Sequence, residues 1–178
     1  MVELFKYIES LYSHIPKEVY IFLFVLLCLS LIFSMVINRH QRKRYILLSL
    51  LLEYVCFVFC STVIFRDYVK IRKFNLIPFW SYAAIIAGQK NLLIENLMNI
   101  AVFVPIGFLL GTTNYKKFNW QGVFLMGLAL SLVIETMQFL FTRGFAEVDD
   151  VMHNTLGCQI GYGVYICLLF IMKRSGKC

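Results

Sequence analysis

The chain is short of charge. Only 15% of its 178 residues are Asp, Glu, Lys or Arg, while 60% are hydrophobic and 16% aromatic. A soluble domain carries about a quarter charged residues, so this composition excludes a water-soluble globular protein. Missing as well are the spacings that announce familiar chemistries. There is no HExxH, no Ser–His–Asp order and no zinc-knuckle pair of cysteines. Cys28, Cys56, Cys60, Cys158 and Cys167 lie inside apolar runs and Cys178 is the last residue. They read as small hydrophobes, not as a disulfide framework or a metal site. No internal repeat or low-complexity run is present, and no stretch reads as a strand.

What remains is a set of long apolar runs. Five of them, Val19–Ile37, Tyr45–Phe65, Leu92–Thr113, Gly122–Phe141 and Asn154–Met172, are long enough to cross a bilayer as helices. The expected fold is therefore all-α, a polytopic transmembrane bundle of about five spans forming a single integral membrane domain over residues 1–178. The first span is too long for a signal-peptide core and no small-residue cleavage site follows it. Ahead of it, Leu4, Phe5, Ile8, Leu11 and Tyr12 share one helical face, the pattern of a short N-terminal interfacial helix. Within the longest loop, Arg66–Asn91, Pro78 and its preceding Ile77 disfavour helix, and "SYAAIIAG" reads as a short re-entrant or interfacial helix.

The net charge of +7 does not point to nucleic acid, because the cations flank apolar spans. "NRHQRKRY", Lys116–Lys117 and the terminal "KRSGK" fall on one side of a five-span chain, which the positive-inside rule makes cytoplasmic. Lys6, Lys17, Arg66, Lys70, Arg72, Lys73, Lys90 and Arg143 stand on the other side and nearly balance them. The densest cluster, in a very short loop, decides for an outside N-terminus and a cytoplasmic C-terminus.

Polar residues inside the spans carry the functional signal. Glu95, Asn96 and Asn99 open the third span, Glu135 and Gln138 close the fourth, and Asp149, Asp150 and Asn154 open the fifth. Alternating direction brings those three ends to one membrane face. Glu135 precedes Phe141 at the span end by roughly 9 Å of helical rise. A carboxylate at that depth costs on the order of 3 kcal/mol, so it should face protein or a wet cavity and not lipid. The spacing agrees. Ser131, Glu135, Gln138 and Thr142 form one stripe; Asn96, Asn99, Phe103, Gly107 and Gly111 a second; Asp150, Asn154, Gly157 and Gly161 a third. Deeper in the bundle, "GFLLG" and "GCQIG" are small-xxx-small pairs that let backbones approach. The expected picture is a polar pocket above a glycine-packed floor. The plainer alternative is that Asn and Gln merely bond across helices. Arg143 is the expected salt-bridge partner of Asp149 or Asp150. Glu53, in the middle of the second span, stands apart and is expected to bond to Ser30 or Ser34 of the neighbouring helix.

The runs "NLIPF", "ENLMNIAVFVPIGFLLG", "SLVIETMQFLF" and "RGFAEVDDVMHNTLGCQIGY", spanning Asn75 to Tyr162, resemble the VanZ-like family of bacterial membrane proteins. The last run is the most specific: an Arg, an acidic pair, then Asn and Gly leading into an apolar helix. The resemblance implies a bacterial cell-membrane protein with a role in resistance to glycopeptide antibiotics of the teicoplanin or lipoglycopeptide type. By match to the family pattern it singles out Asn75, Pro78, Asn96, Asn99, Pro105, Glu135, Gln138, Arg143, Asp149, Asp150, Asn154 and Gly157. His153 is not part of that pattern.

Four chemistries suit such a pocket. Glu135, Gln138, Asp149 and Asp150 offer oxygens to a hard divalent cation, and His153 would extend the set to a transition metal, although no metal or cofactor signature is present. Glu135 would serve as a general base, with Arg143 holding a lipid phosphate. Arg66, Lys70, Arg72, Lys73 and Arg143, with Asn96, Asn99, Gln138 and Asn154, would recognise the head group of an envelope lipid or lipid-linked cell-wall precursor; the same cations would also attract anionic lipid without any site. Transport is disfavoured by the small span count and the missing inverted repeat. Binding or handling of an envelope lipid or precursor is the expectation. An intramembrane lipid-phosphate enzyme and a structural partner of cell-wall machinery are the alternatives.

Overall fold

In lipid each backbone N–H and C=O must find its partner within the segment, so long apolar runs fold as helices. The structure, a computed structural model, describes residues 15–113 and 119–175. Its elements are α1 (Lys17–Val36), α2 (Arg39–Phe59) continued by a single π turn (Cys60–Ile64), β1 (Phe74–Asn75), α3 (Trp80–Ile86), α4 (Asn91–Thr112), α5 (Trp120–Phe141), β2 (Ala146–Glu147) and α6 (Val148–Arg174). Among the described residues, five helices are long and apolar enough to cross a membrane, as expected: α1, α2 with its π turn, α4, α5 and α6. The N-terminal interfacial helix expected over Leu4–Tyr12 lies outside the described residues.

Two span starts differ from expectation. α2 begins at Arg39, not near Tyr45, so the basic cluster forms the first turns of a helix instead of a loop. Arg42 explains the use of this: its guanidinium donates to the Ser34 and Met35 carbonyls, at 3.0 Å each, and closes the C-terminal end of α1. α6 begins at Val148, not near Asn154, because Asp149 and Asp150 occupy its first turn. Negative charge is favoured there by the helix dipole.

The tightest packing is between α4 and α6. A Cβ on Gly107 would collide with the Cys158 carbonyl oxygen, one on Gly157 with the Ile100 carbonyl, and one on Gly161 with the Val104 carbonyl. Small residues are thus required for the two backbones to approach, as the small-xxx-small pairs suggest. Around this seam Phe103, Ile106, Leu110, Val123, Ile134 and Tyr162 form the core, and Trp120 meets Tyr162 edge-on at 4.9 Å. Pro105 lies inside α4, which continues through it. The outer faces of α1 (Ile21, Phe24, Phe33) and α6 (Phe170, Ile171) are exposed, as lipid-facing surfaces are. Glu53 of α2 accepts from Ser30 of α1 at 3.3 Å, while Ser34 donates to its own helix at Leu31.

One feature was not expected. β1 pairs in parallel with β2, Phe74 opposite Ala146 and Asn75 opposite Glu147. Two residues are too few for alternation to show in a sequence. The pairing fastens the loop after α2 to the start of α6.

Gly161→Val should lower the melting temperature of the detergent-purified protein, by overpacking worth roughly 1–3 kcal/mol. Gly163→Ala, which meets only the Trp120 ring at 3.4 Å, should change it far less. Equal melting for both variants would remove the glycine seam as the basis of the fold.

Candidate functional site

The site forms where the end of α2, the start of α4, the end of α5 and the start of α6 converge. The loop from Arg66 to Lys90 is stitched over it. Val69 N–H donates to the Thr142 carbonyl at 2.8 Å, and Ala146 N–H to the Lys73 carbonyl at 3.2 Å. Asn75 makes a local turn by accepting from Ile77 N–H at 3.1 Å. Beyond exposed Pro78, Phe79 adopts a left-handed conformation (φ 63°) and starts α3.

Asp149 holds that turn. Its carboxylate, 1% exposed, accepts from Phe79 N–H at 2.6 Å, from Ser81 N–H at 3.0 Å and from the Ser81 hydroxyl at 2.6 Å. It caps a helix that has no cap of its own. Hydrogen bonds to a charged group are worth about 1.5–3 kcal/mol each, enough to offset the cost of a left-handed phenylalanine. Asn96 supports the same cluster, donating to the Ser81 hydroxyl oxygen at 3.0 Å. Trp80 donates its indole N–H to Glu147 at 3.0 Å, and the Tyr82 hydroxyl lies 2.8 Å from His153 Nε2. Burial, with Glu95 nearby, pushes the Glu147 carboxyl above its ordinary range, against the lowering effect of the Trp80 bond.

Asp150 goes elsewhere. Successive helical residues point about 100° apart, so Asp149 faces α3 while Asp150 faces a cavity of about 320 Å³. Asn99 donates to Asp150 at 2.6 Å across the α4–α6 seam. Asn154 donates to Ser131 at 2.8 Å, and Glu135 accepts the Glu147 N–H at 3.0 Å. Gln138 donates to the Thr62 carbonyl at 3.0 Å, satisfying an orphan acceptor of the last turn after α2. Glu135, Gln138, Asp150, Asn154 and Asn99 all line the cavity, with Arg66, Asp67, Glu95, Ser61 and Thr62. Its apolar wall includes Phe65, Met98, Val102 and Ile134.

The twelve residues singled out from the sequence therefore divide. Five line the cavity. Asn75, Pro78, Asn96 and Asp149 build the loop and its anchor. Pro105 lies within α4, and Gly157 belongs to the α4–α6 packing. Arg143 is a correction: it pairs with neither Asp149 nor Asp150, but donates to the Arg66 carbonyl at 2.9 Å. Asp149 already has three donors, and Asp150 sits in the cavity wall. Arg66 instead forms an ion pair with Glu95 at the site, at 3.8 Å. The oxygen set considered for a cation is split in the same way, and no group of three or more His, Cys, Asp or Glu is placed to hold a metal among the described residues. Gly144 (φ 145°) is fixed by position, since a Cβ there would lie 3.0 Å from the Arg66 guanidinium. Arg66, named from the sequence among the pocket-side cations, stands in the wall, as does Glu95, an acid opening a span beside Asn96 and Asn99. Sequence reasoning missed Ser61, Thr62 and Ser81.

Asp149→Asn should loosen the loop, because an amide cannot accept from Phe79 and Ser81 together and leaves a buried donor unmet, at about 1–3 kcal/mol. Limited trypsin digestion at Lys70, Arg72, Lys73 and Lys90 should accelerate in that variant; unchanged cleavage would contradict the anchoring role.

Comparison with known proteins follows the same geography. The VanZ/LLP1 family model matches residues 19–171. Protein VanZ of Enterococcus faecium is 34% identical over 94 residues, which are 53% of this chain and 53% of that protein. The match thus spans about half the length of this relative. No solved structure matches. A match over nearly the whole chain, on a five-helix membrane fold, makes the protein a member of the VanZ/LLP1 family.

Proposed function

We propose that this protein contributes to resistance against glycopeptide antibiotics of the teicoplanin or lipoglycopeptide type, by holding an envelope lipid or lipid-linked cell-wall precursor in the cavity at the ends of α2, α4, α5 and α6. Family membership and the likeness to VanZ support the resistance role. The observation that carries the binding role is the cavity itself: about 320 Å³, lined by Glu135 and Asp150 within membrane spans. Intramembrane carboxylates are costly, and a cavity wall is where a bound group would repay that cost. The loop Arg66–Lys90 lies over the same end of the bundle, so an amphiphile would reach the cavity from the bilayer surface.

The variants Glu135→Gln and Asp150→Asn test this. Each keeps an oxygen to accept from Glu147 N–H or from Asn99, so the fold is retained while the charge is lost. Expressed at equal abundance in a susceptible bacterium, either variant should return teicoplanin sensitivity at least fourfold towards the empty-vector level. Full protection by both would sink the cavity as the working site.

The cavity end faces outward in this reading, with the Arg39–Arg44 cluster on the cytoplasmic side. A cysteine at exposed Lys70 should then react with a membrane-impermeant maleimide in intact cells, above the level of the parent chain, and one at exposed Asn38 should not. The opposite pattern would invert the topology.

A further inference from the structure

The amides and hydroxyls of the cavity wall direct donors into the protein. Asn99, Asn154 and Gln138 each turn the amide NH2 into the protein, towards Asp150, Ser131 and the Thr62 carbonyl. The hydroxyls of Ser61 and Thr62 donate to the Val58 carbonyl of their own helix. Gln138 is decisive. Its partner is a main-chain carbonyl, which can only accept, so the NH2 must face Thr62 and the orientation of the amide is fixed. Its Oε1 is then left without a partner, on a side chain 2% exposed in the cavity wall.

Charge runs the same way. Three of the five cations expected to hold a phosphate are engaged elsewhere. Arg72 donates to the Leu140 carbonyl at 3.2 Å and lies over the Phe139 ring. Lys73 lies over the Phe145 ring at 5.3 Å, and Arg143 is held on the Arg66 carbonyl. Among the described residues the lining contains one guanidinium, Arg66, itself 3.8 Å from Glu95, against the further carboxyl groups of Glu135 and Asp150. A phosphate would meet chiefly acceptors. A group bearing several N–H donors and a positive charge would meet partners.

From the unmatched Gln138 acceptor and the carboxyl-rich wall we infer that the cavity binds a lipid-borne primary amine, its ammonium among Glu135, Gln138 and Asp150 and its methylene stem against Phe65, Met98 and Val102. This rests on the cavity reading above and names the chemical class it takes. Two sources carry such a group, an aminophospholipid head group and an amine on a lipid-linked precursor.

The probe is butylammonium added to the full chain in maltoside micelles, with butyl phosphate and inositol at matched ionic strength as comparisons. Butylammonium should raise the melting temperature saturably, the other two should not, and Glu135→Gln and Asp150→Asn should each weaken the response at least tenfold. A saturable response to butyl phosphate, an equal response to inositol, or no response to any probe overturns the amine assignment. Native mass spectrometry after reconstitution in phosphatidylethanolamine or phosphatidylglycerol nanodiscs separates the sources. Retained phosphatidylethanolamine assigns the phospholipid, and butylammonium binding without it assigns the precursor amine. If Glu135→Gln abolishes protection while butylammonium fails to bind, the amine class alone is wrong. If Glu135→Gln and Asp150→Asn both keep full protection, the cavity reading falls and this inference with it.

Discussion

The carboxylate of Asp149 is the point on which the site depends. It is buried at the first turn of α6 and receives three hydrogen bonds from the start of α3, at the far end of the loop that follows α2. The left-handed Phe79 and the short α3 exist because that acceptor is there. From this anchor follow the Trp80 bond to Glu147, the pairing of β1 with β2 and the Tyr82–His153 contact. These fix the Glu147 backbone, whose N–H is the donor that holds Glu135. A structural aspartate thus positions a neighbouring functional candidate through main chain, without touching the cavity itself.

The second constraint is the glycine seam. Asn99 reaches Asp150 at 2.6 Å only because α4 and α6 are nearly in backbone contact lower down, at Gly107, Gly157 and Gly161. In lipid there is little hydrophobic force between helices, so close van der Waals packing and a few interhelical hydrogen bonds must bring them together. The seam serves both ends. It packs the apolar floor, and it sets the spacing at which polar residues on α4 and α6 meet at the rim. A single larger residue in the floor would therefore be felt at the rim as a displaced Asn99.

Much of this was legible from residue order. The five spans followed from apolar length, and three polar stripes followed from helical spacing, which is why Glu135, Gln138, Asp150, Asn154 and Asn99 could be named together. Glu53 bonding to Ser30 was legible for the same reason, since two adjacent spans leave few polar partners in lipid. What periodicity does not encode is which of two neighbouring acids faces which element. Asp149 and Asp150 read as a pair, yet a rotation of about 100° sends one to the loop and the other to the cavity. The Arg143 pairing failed because it relied on proximity in sequence. The partners of Asp149 lie near Phe79, a contact between distant segments, and the backbone N–H groups that make it leave no residue-type signature at all. The early start of α6 has the same origin, because acids that look like a loop in composition are favoured in a first helical turn.

The division of labour bears on how the site would work. Residues that read as one acidic motif serve two ends: stability is concentrated in Asp149, whose oxygens are filled by protein donors, and unfilled acceptor capacity is concentrated on Gln138 beside Glu135 and Asp150. Folding alone would favour filling both, since an unmet buried acceptor costs about 1–3 kcal/mol. The Ser61 and Thr62 hydroxyls line the same cavity, and both donate to the Val58 carbonyl. Local helix bonding by Ser and Thr is favoured at such positions, so these hydroxyls add no donor to the wall. In the amine reading, such a wall selects by donor count more than by shape.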